Sequence, residues 1–455
     1  MQVRVKTLLA VILVALLGFT AVVLATSPRP DLHGRTPLTW VTDPNPLRKE
    51  QVDAFNREHP DDFLSIDPGN GGKEKVIVQS LAGVGPDVFD FWGEVDFDAY
   101  IRSGVAYDLT DELKKRGIDY QKAVWPLALP WTVRDGHVYA IPANVGTDAI
   151  WLHKDMFEQA GVPLPKDGWK LDDFVKTAQK MTQRDSKGKI TRYGVVLDFN
   201  GGYLLWLPSF GGKIWSDDGR KIAIDSPESI ACLTFVRDLI YKYKVSPSPA
   251  EEQGINTGGG WGGGAGAQVY FRKRISAMAL GGRWWLAQLR DDIREKDFQL
   301  ASVMPPIAKY ERYGSGGTRA VMVNAASPHR EAAVDFAMYL MGETYNLILN
   351  DQADALSGVK SYAYLPRYLK PPATPNETFH EAFRKTLEHG VPAHTSVYLP
   401  RGDVDLYLNR QLDLVKLGQK EPAAALKDAA RDIDQAMHLY LDRHPDLKAQ
   451  YEAGQ

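Results

Sequence analysis

Short apolar runs alternate with amphipathic stretches from Leu38 onward, and this alternation constrains the fold more than any other feature of the chain. Leu38–Thr42, Phe63–Ile66 and Asp87–Phe91 have the length and apolar content of strands. Between them, Leu47–His59 and Glu74–Leu81 carry helical spacing, with Val52 and Phe55 directed inward. Asp98–Ser103 and Thr110–Arg116 continue as helices, and Asp43-Pro44-Asn45-Pro46 reads as a turn. Strand–helix–strand order predicts an α/β protein with a mainly parallel sheet and helices on both faces. Val138–Pro142 and Ala149–His153 read as strands bridging to a second lobe. Helices are predicted at Lys154–Ala160, Leu171–Thr182, Pro227–Lys242, Arg330–Met341, Asp403–Leu417 and Ala423–His444. Strands are predicted at Tyr193–Leu197, Ile275–Ala279, Leu300–Val303 and Val321–Asn324. A length of 455 residues is that of two domains or one large one.

Such a core must hold without cross-links, because the chain has one cysteine, Cys232. It lies among Ile230, Leu233, Val236, Leu239 and Ile240 on a helical pattern, which reads as a buried, inert thiol. At the other end of the argument from composition, the net charge is −3 and no basic stripe is present, so nucleic acid is not an expected partner.

The first 25 residues stand apart. Arg4 and Lys6 precede an uncharged run from Leu8 to Ala25, and Val23-Leu24-Ala25 offers a small-residue exit before Thr26-Ser27-Pro28. This is the layout of an export signal, so residues 1–25 are expected to direct export, with cleavage after Ala25 and residues 26–36 as a linker. A retained anchor is the competing reading, the run being near the lower end of the ~17–25 residues that span a bilayer. Either way the lobes face a periplasmic or extracellular compartment. No cysteine follows the run, so lipid attachment there is not expected.

Motifs for chemistry are absent. There is no HExxH, HxH or CxxC, so neither a metal nor a cofactor is expected. Gly69–Lys75 lacks the Ser or Thr and the spacing of a phosphate loop, and Gly314-Ser315-Gly316 does not complete a nucleophile elbow. Acidic residues are plentiful, yet no pair is marked out for glycoside hydrolysis.

Aromatic rings beside polar groups are what remain, at the ends of predicted strands. Trp40 precedes Asp43 and Asn45; Trp92 precedes Glu94 and Asp96; Gly282, Arg283, Trp284 and Trp285 follow the strand at Ile275. Trp261 sits in the glycine-rich stretch Gly254–Gly266. In open α/β sheets ligands bind beyond the carboxyl ends of strands. An indole face covers the C–H face of a pyranose while carboxylates, amides and guanidinium groups bond its hydroxyls, which is the make-up of a sugar cleft. The competing reading for any one of these rings is a plug in a lobe interior.

Several segments resemble the extracellular solute-binding proteins of ABC importers, in the carbohydrate-binding family that includes maltose-binding proteins. They are Leu81-Ala82-Gly83 with Gly85-Pro86-Asp87-Val88-Phe89, Ser103–Thr110, Val138–Pro142 with Asn144, Thr147 and Asp148, His153–Pro163, and Ile275–Ala279 with Gly282 and Trp284. The resemblance implies two α/β lobes around a ligand cleft and a chain that crosses between them more than once. It implies lobe I from residues 37–143 plus 303–352, and lobe II from 144–302 plus 353–455. It implies a carbohydrate ligand, ABC permease subunits as partners, a monomer and no enzymatic activity. Carried over by position, Trp92 with Glu94 or Asp96, Trp284, Asn144 and Asp148 at the crossover, and Arg319 near the return are implied ligand contacts. Alternatives are an exported carbohydrate-active enzyme, or a binding protein for a glycerophosphodiester or a polyamine, Arg283 and Arg319 favouring an anion.

Overall fold

The computed structural model of the chain describes residues 32–454 apart from 44, 68–71, 93, 254–264, 315–316 and 393–394. The export segment therefore lies outside the described residues. Among those described, no helix is long and apolar enough to cross a membrane.

Ten strands form two five-stranded sheets. They are β1 (Thr36–Val41), β2 (Asp62–Ile66), β3 (Val88–Trp92), β4 (Ile141–Val145), β5 (Asp148–His153), β6 (Gln183–Arg184), β7 (Ile190–Val196), β8 (Ser276–Gly282), β9 (Leu300–Val303) and β10 (Thr318–Val323). The first sheet has the order β2-β1-β3-β10-β4 and the second β9-β5-β8-β7-β6. Only Gly146 and Thr147 separate β4 in one sheet from β5 in the other, and the chain returns between β9 and β10.

These crossings overturn the expectation of a mainly parallel sheet. β1 pairs parallel with β2 and β3, but β10 runs antiparallel to both β3 and β4. In the second sheet only β7 and β8 are parallel; β5 is antiparallel to β8 and β9, and β6 to β7. Helical crossovers make neighbouring strands parallel. A strand entering from the other sheet has no such crossover before it, and here it enters reversed.

Both sheets are covered on both faces. Successive strand side chains alternate. Trp40 joins Phe55, Phe336 and Tyr339 on one face of the first sheet, while Phe89 and Phe91 pack with Val76, Phe97 and Tyr100 on the other. Ile150 and Leu152 join the large core of the second sheet, whereas Ala149 and Trp151 face Phe271, Trp285 and Phe383. Cys232 is buried in that large core, as expected, and burial pushes its thiol well above the ordinary range.

Five helices position the site: α1 (Leu47–Glu58), α2 (Phe199–Phe210), α3 (Glu343–Gln352), α4 (Arg401–Lys416) and α5 (Pro422–Asp442). Helix α2 escaped the pattern reading because Gly201, Gly202 and Pro208 interrupt it. It forms because Asp198 accepts the Gly201 amide at 2.6 Å as an N-cap and Gly211 ends it in the left-handed region at φ 92°.

Candidate functional site

A cavity of about 1260 Å³ lies between elements of the two sheets. From the first come Asp43 and Asn45 after β1, Arg48 in α1, Trp92, Asn144, Thr318 and Arg319. From the second come the end of α2 with Gly211 to Ile214, Gln268, Trp284, Gln288, and Arg401 and Asp405 of α4. Trp131 and Tyr310 complete its aromatic walls. The space exceeds the ~300–1,000 Å³ of most small-molecule pockets.

The floor is a chain of alternating charges. Arg48 Nε donates to Asp43 at 2.8 Å, and Arg48 Nη1 donates to Asp354. Arg319 Nη1 donates to Asp90 at 3.0 Å, and Arg319 Nη2 donates to the Tyr345 hydroxyl at 2.7 Å. Asn144 Nδ2 reaches the Asp354 backbone carbonyl at 3.3 Å. Burial opposes the charge on Arg48, yet Asp354 and Asp43 keep it protonated beyond the ordinary range. Burial also opposes the Asp354 anion, but Arg48 and then Arg319 hold its carboxyl below the usual value. At Asp90 burial wins over Arg319 and the carboxyl is pushed up.

The aromatic walls are less enclosed. Trp92 ends β3 with 54 % of its surface exposed, and Tyr310 is 40 % exposed. Trp284 is half-buried and follows β8 in a short 3-10 turn. A Cβ at Gly282 would come within 2.0 Å of the Trp284 ring, and one at Gly281 within 2.3 Å of Trp285. The two glycines thus allow both indoles to fold over the strand end.

Of the residues singled out in the sequence, Asp43, Asn45, Trp92, Asn144, Trp284 and Arg319 line this cavity together. Others do not. Trp40 is fully buried behind it, its Nε1 donating to Asp90 at 2.6 Å and its ring 5.1 Å from Phe336. A strand alternates its faces, and Trp40 falls on the one that packs against helices. Trp285 is a core ring for the same kind of reason: its neighbour Trp284 takes the cavity side of the turn, and Trp285 packs among Trp151, Phe271 and Phe298. Gly282 is buried, and its carbonyl accepts Trp151 Nε1 at 3.3 Å. Arg283 is fully buried away from the cavity, donating to the carbonyls of Ala355 at 2.7 Å and Asn350 at 2.8 Å.

Asp148 begins β5 at the crossover but is not among the lining residues; burial and then nearby Asp198 push its carboxyl up to about 7. The side chains of Glu94 and Asp96, and all of Trp261, lie outside the described residues. Reasoning from sequence missed Arg48, Trp131, Tyr310, Arg401 and Asp354. Trp131 closes the turn Pro126–Trp131, and a Pro-rich segment ending in tryptophan was a usable signal. Asp354 had none, for it sits between two alanines. No group of three or more metal-ligating side chains occurs among the described residues.

Two α/β lobes with a cavity between them define the class of the protein, and comparison with known sequences gives the family. The model for bacterial extracellular solute-binding proteins matches residues 39–346, and the chain belongs to that family. A galactooligosaccharide-binding protein of Bacillus subtilis is 23 % identical, over 84 % of each chain. An arabinooligosaccharide-binding protein of Halalkalibacterium halodurans is 26 % identical over 45 % of this chain, and the match spans less than half of that relative, 44 %. An ABC substrate-binding protein of Listeria monocytogenes, solved with cycloalternan, superposes with a TM-score of 0.75 at 24 % identity over 89 % of this chain and 99 % of that one. This last likeness bears on the fold alone.

Proposed function

We propose that the chain is the substrate-binding component of an ABC importer and takes a neutral saccharide, of oligosaccharide size, in the interlobe cavity. The observation that carries this reading is the pairing of aromatic walls with cations that are largely neutralised, four of the five described lining cations facing a carboxylate and Arg312 lying over the Tyr310 ring at 5.6 Å. Trp92, Trp131, Trp284 and Tyr310 offer apolar faces. Arg48 and Arg319 are matched by Asp43, Asp354 and Asp90, Arg401 by Asp405 at 2.6 Å, and Lys213 by Asp217 at 2.6 Å. A phosphodiester or a polyamine would have to break such pairs, whereas hydroxyl groups can join them as further donors and acceptors. The names of the relatives, which bind galacto- and arabino-oligosaccharides, support the same class.

In this reading lobe I is built on the first sheet and lobe II on the second, near the expected bounds of 37–143 with 303–352 and 144–302 with 353–455, but with β4 carrying lobe I on to Val145 and β9 keeping Val303 in lobe II. Asp43, Asn45, Trp92, Asn144, Trp284 and Arg319, joined by Trp131 and Tyr310, contact the ligand. The protein acts as a monomer outside the cytoplasm, exported by residues 1–25, releases its ligand unchanged, and presents it to permease subunits. A thermal-shift and calorimetric panel of neutral oligosaccharides, uronates, glycerophosphodiesters and spermidine tests it, since a ligand of the folded state raises its stability. Binding confined to uronates or to spermidine overturns the neutral-ligand reading. Recovery of shortened saccharide after incubation overturns the non-enzymatic one.

A further inference from the structure

Arg283, expected from sequence at the ligand, is spent elsewhere, and what it holds is unusual. Asp354, the carboxylate at the cavity floor, sits between Ala353 and Ala355, both in the left-handed region at φ 60° and 62°. That region is disfavoured for residues with a Cβ, and it persists only where surroundings impose it. The turn follows α3, and Leu356 then pairs with Val145 at the end of β4, the two exchanging backbone hydrogen bonds at 2.9 and 3.0 Å. It is where the chain passes from the helices of the first sheet toward those of the second.

Two arginines of the second lobe grip this passage by its backbone. Arg283 bonds the carbonyls of Asn350 and Ala355, one on each side of the turn. Arg290 bonds the carbonyl of Asp351 at 2.5 Å. A side-chain relay joins them. Arg283 Nε donates to His380 Nδ1 at 3.1 Å, His380 Nε2 meets Glu377 at 2.9 Å, and Glu377 accepts both Arg290 Nε and Nη2 at 2.9 and 2.8 Å. The geometry fixes the tautomer: Nδ1 accepts from Arg283, so the proton is on Nε2 and is donated to Glu377. Burial and Arg283 hold His380 neutral, its pKa lowered to about 4, which preserves that acceptor. Tyr368 covers the Arg283 guanidinium at 4.6 Å, and none of the four residues lines the cavity.

We propose that Arg283, His380, Glu377 and Arg290 form a clamp that imposes the left-handed turn at Ala353–Ala355 and so positions Asp354 for Arg48 and Asn144. They are positioning residues of the second lobe acting on a carboxylate anchored to the first. The consequence for ligand affinity rests on the solute-binding reading above; the clamp itself does not.

The test therefore uses the ligand-free protein. Amide hydrogen exchange and the side-chain amide resonance of Asn144 are followed in the wild type, Arg283→Met, Glu377→Gln and Arg283→Met/Ala355→Gly. Arg283→Met is expected to speed exchange at Val145 and Leu356 by about tenfold or more, a local opening, and to shift the Asn144 resonance, with amides of β1 and β8 unchanged. Glu377→Gln keeps the shape of the relay and gives a smaller change in the same places. Glycine at 355 accepts the left-handed conformation without the clamp, so the double variant recovers part of the Asn144 shift. Unchanged exchange in both single variants, a uniform rise across both sheets, or no recovery in the double variant overturns the proposal. If Arg283→Met fails to fold, the Glu377→Gln result decides alone.

Discussion

The cavity floor and the clamp behind it use the same side chains for opposite ends. At the floor, Arg48 and Arg319 line a cavity of about 1260 Å³ while pairing with Asp354 and Asp90, and further hydrogen bonds can be made there. Behind it, Arg283 and Arg290 are consumed by main-chain carbonyls, a histidine and a glutamate. The difference teaches that a buried guanidinium in such a fold is not a ligand contact by virtue of its charge. What decides is whether its partners leave a face open to the cavity.

The sharpest way to break the comparison is at the residue the two regions share. Asp354→Ala strands Arg48 at 1 % exposure without its closest carboxylate. Loss of one partner of a buried pair costs about 3–5 kcal/mol, so a large fall in the denaturation midpoint is expected; an unchanged midpoint would detach Asp354 from the floor.

Neighbouring indoles offer the next contrast. Trp285→Ala is expected to cost about 3–5 kcal/mol of stability, as for other buried aromatic rings. Trp284→Ala is expected to leave stability nearly intact and to weaken saccharide binding by about 2–4 kcal/mol, the scale of a binding hot spot. Calorimetry and chemical denaturation on both variants separate the roles, and equal behaviour would erase the distinction. Trp40→Phe belongs with Trp285: it deprives buried Asp90 of one donor, at about 1–3 kcal/mol of stability, with affinity unchanged.

Acid should loosen the clamp. His380 is neutral in the folded protein with a pKa of about 4, against 6.5 when free, so the unfolded chain binds more protons between those values. Its contribution is present above about pH 6.5 and is lost as pH falls toward 4. Glu377, lowered to about 2 by its bonds to His380 and Arg290 against the penalty of burial, adds a loss below its free value of 4.5. Thermal denaturation from pH 7.5 to 4 should show this decline, and a flat profile would contradict it.

The smallest effect is expected at the crossover. Burial, then Asp198, raises Asp148 to about 7, so its ionisation costs stability as pH rises from about 4 to 7, and above 7 it is ionised at that full cost. Asp148→Asn should raise Tm by about 1–3 °C at pH 8, with no gain at pH 4 and no loss of affinity. A loss of affinity would return Asp148 to the ligand.

Much of the fold was legible because its signals are local. The apolar runs at Leu38, Asp87, Ile275 and Leu300 are strands, and the amphipathic stretches at Leu47, Leu171 and Pro227 are helices. Strand direction was not legible, since whether β10 lies parallel or antiparallel to β3 depends on where the chain has been in between. Part of the candidate site, Asp43, Asn45, Trp92 and Trp284, was found through one rule, rings and polar groups beyond strand ends, while Asn144 and Arg319 came from the family resemblance. That rule cannot tell Trp284 from Trp285, nor see Asp354.

Sequence by itself therefore determined the element types, the two-lobe class through the order of its motifs, and Trp92, Asn144, Trp284 and Arg319 as residues of one region. Only the tertiary structure decided which ring of an adjacent pair meets the cavity and which arginine faces it. Periodicity records the side on which a residue is buried, but it carries no record of what covers that side. For Arg283 the cover is the backbone of a turn some seventy residues further along the chain, and for Arg319 it is the buried Asp90 carboxylate on one side while the open cavity lies on the other.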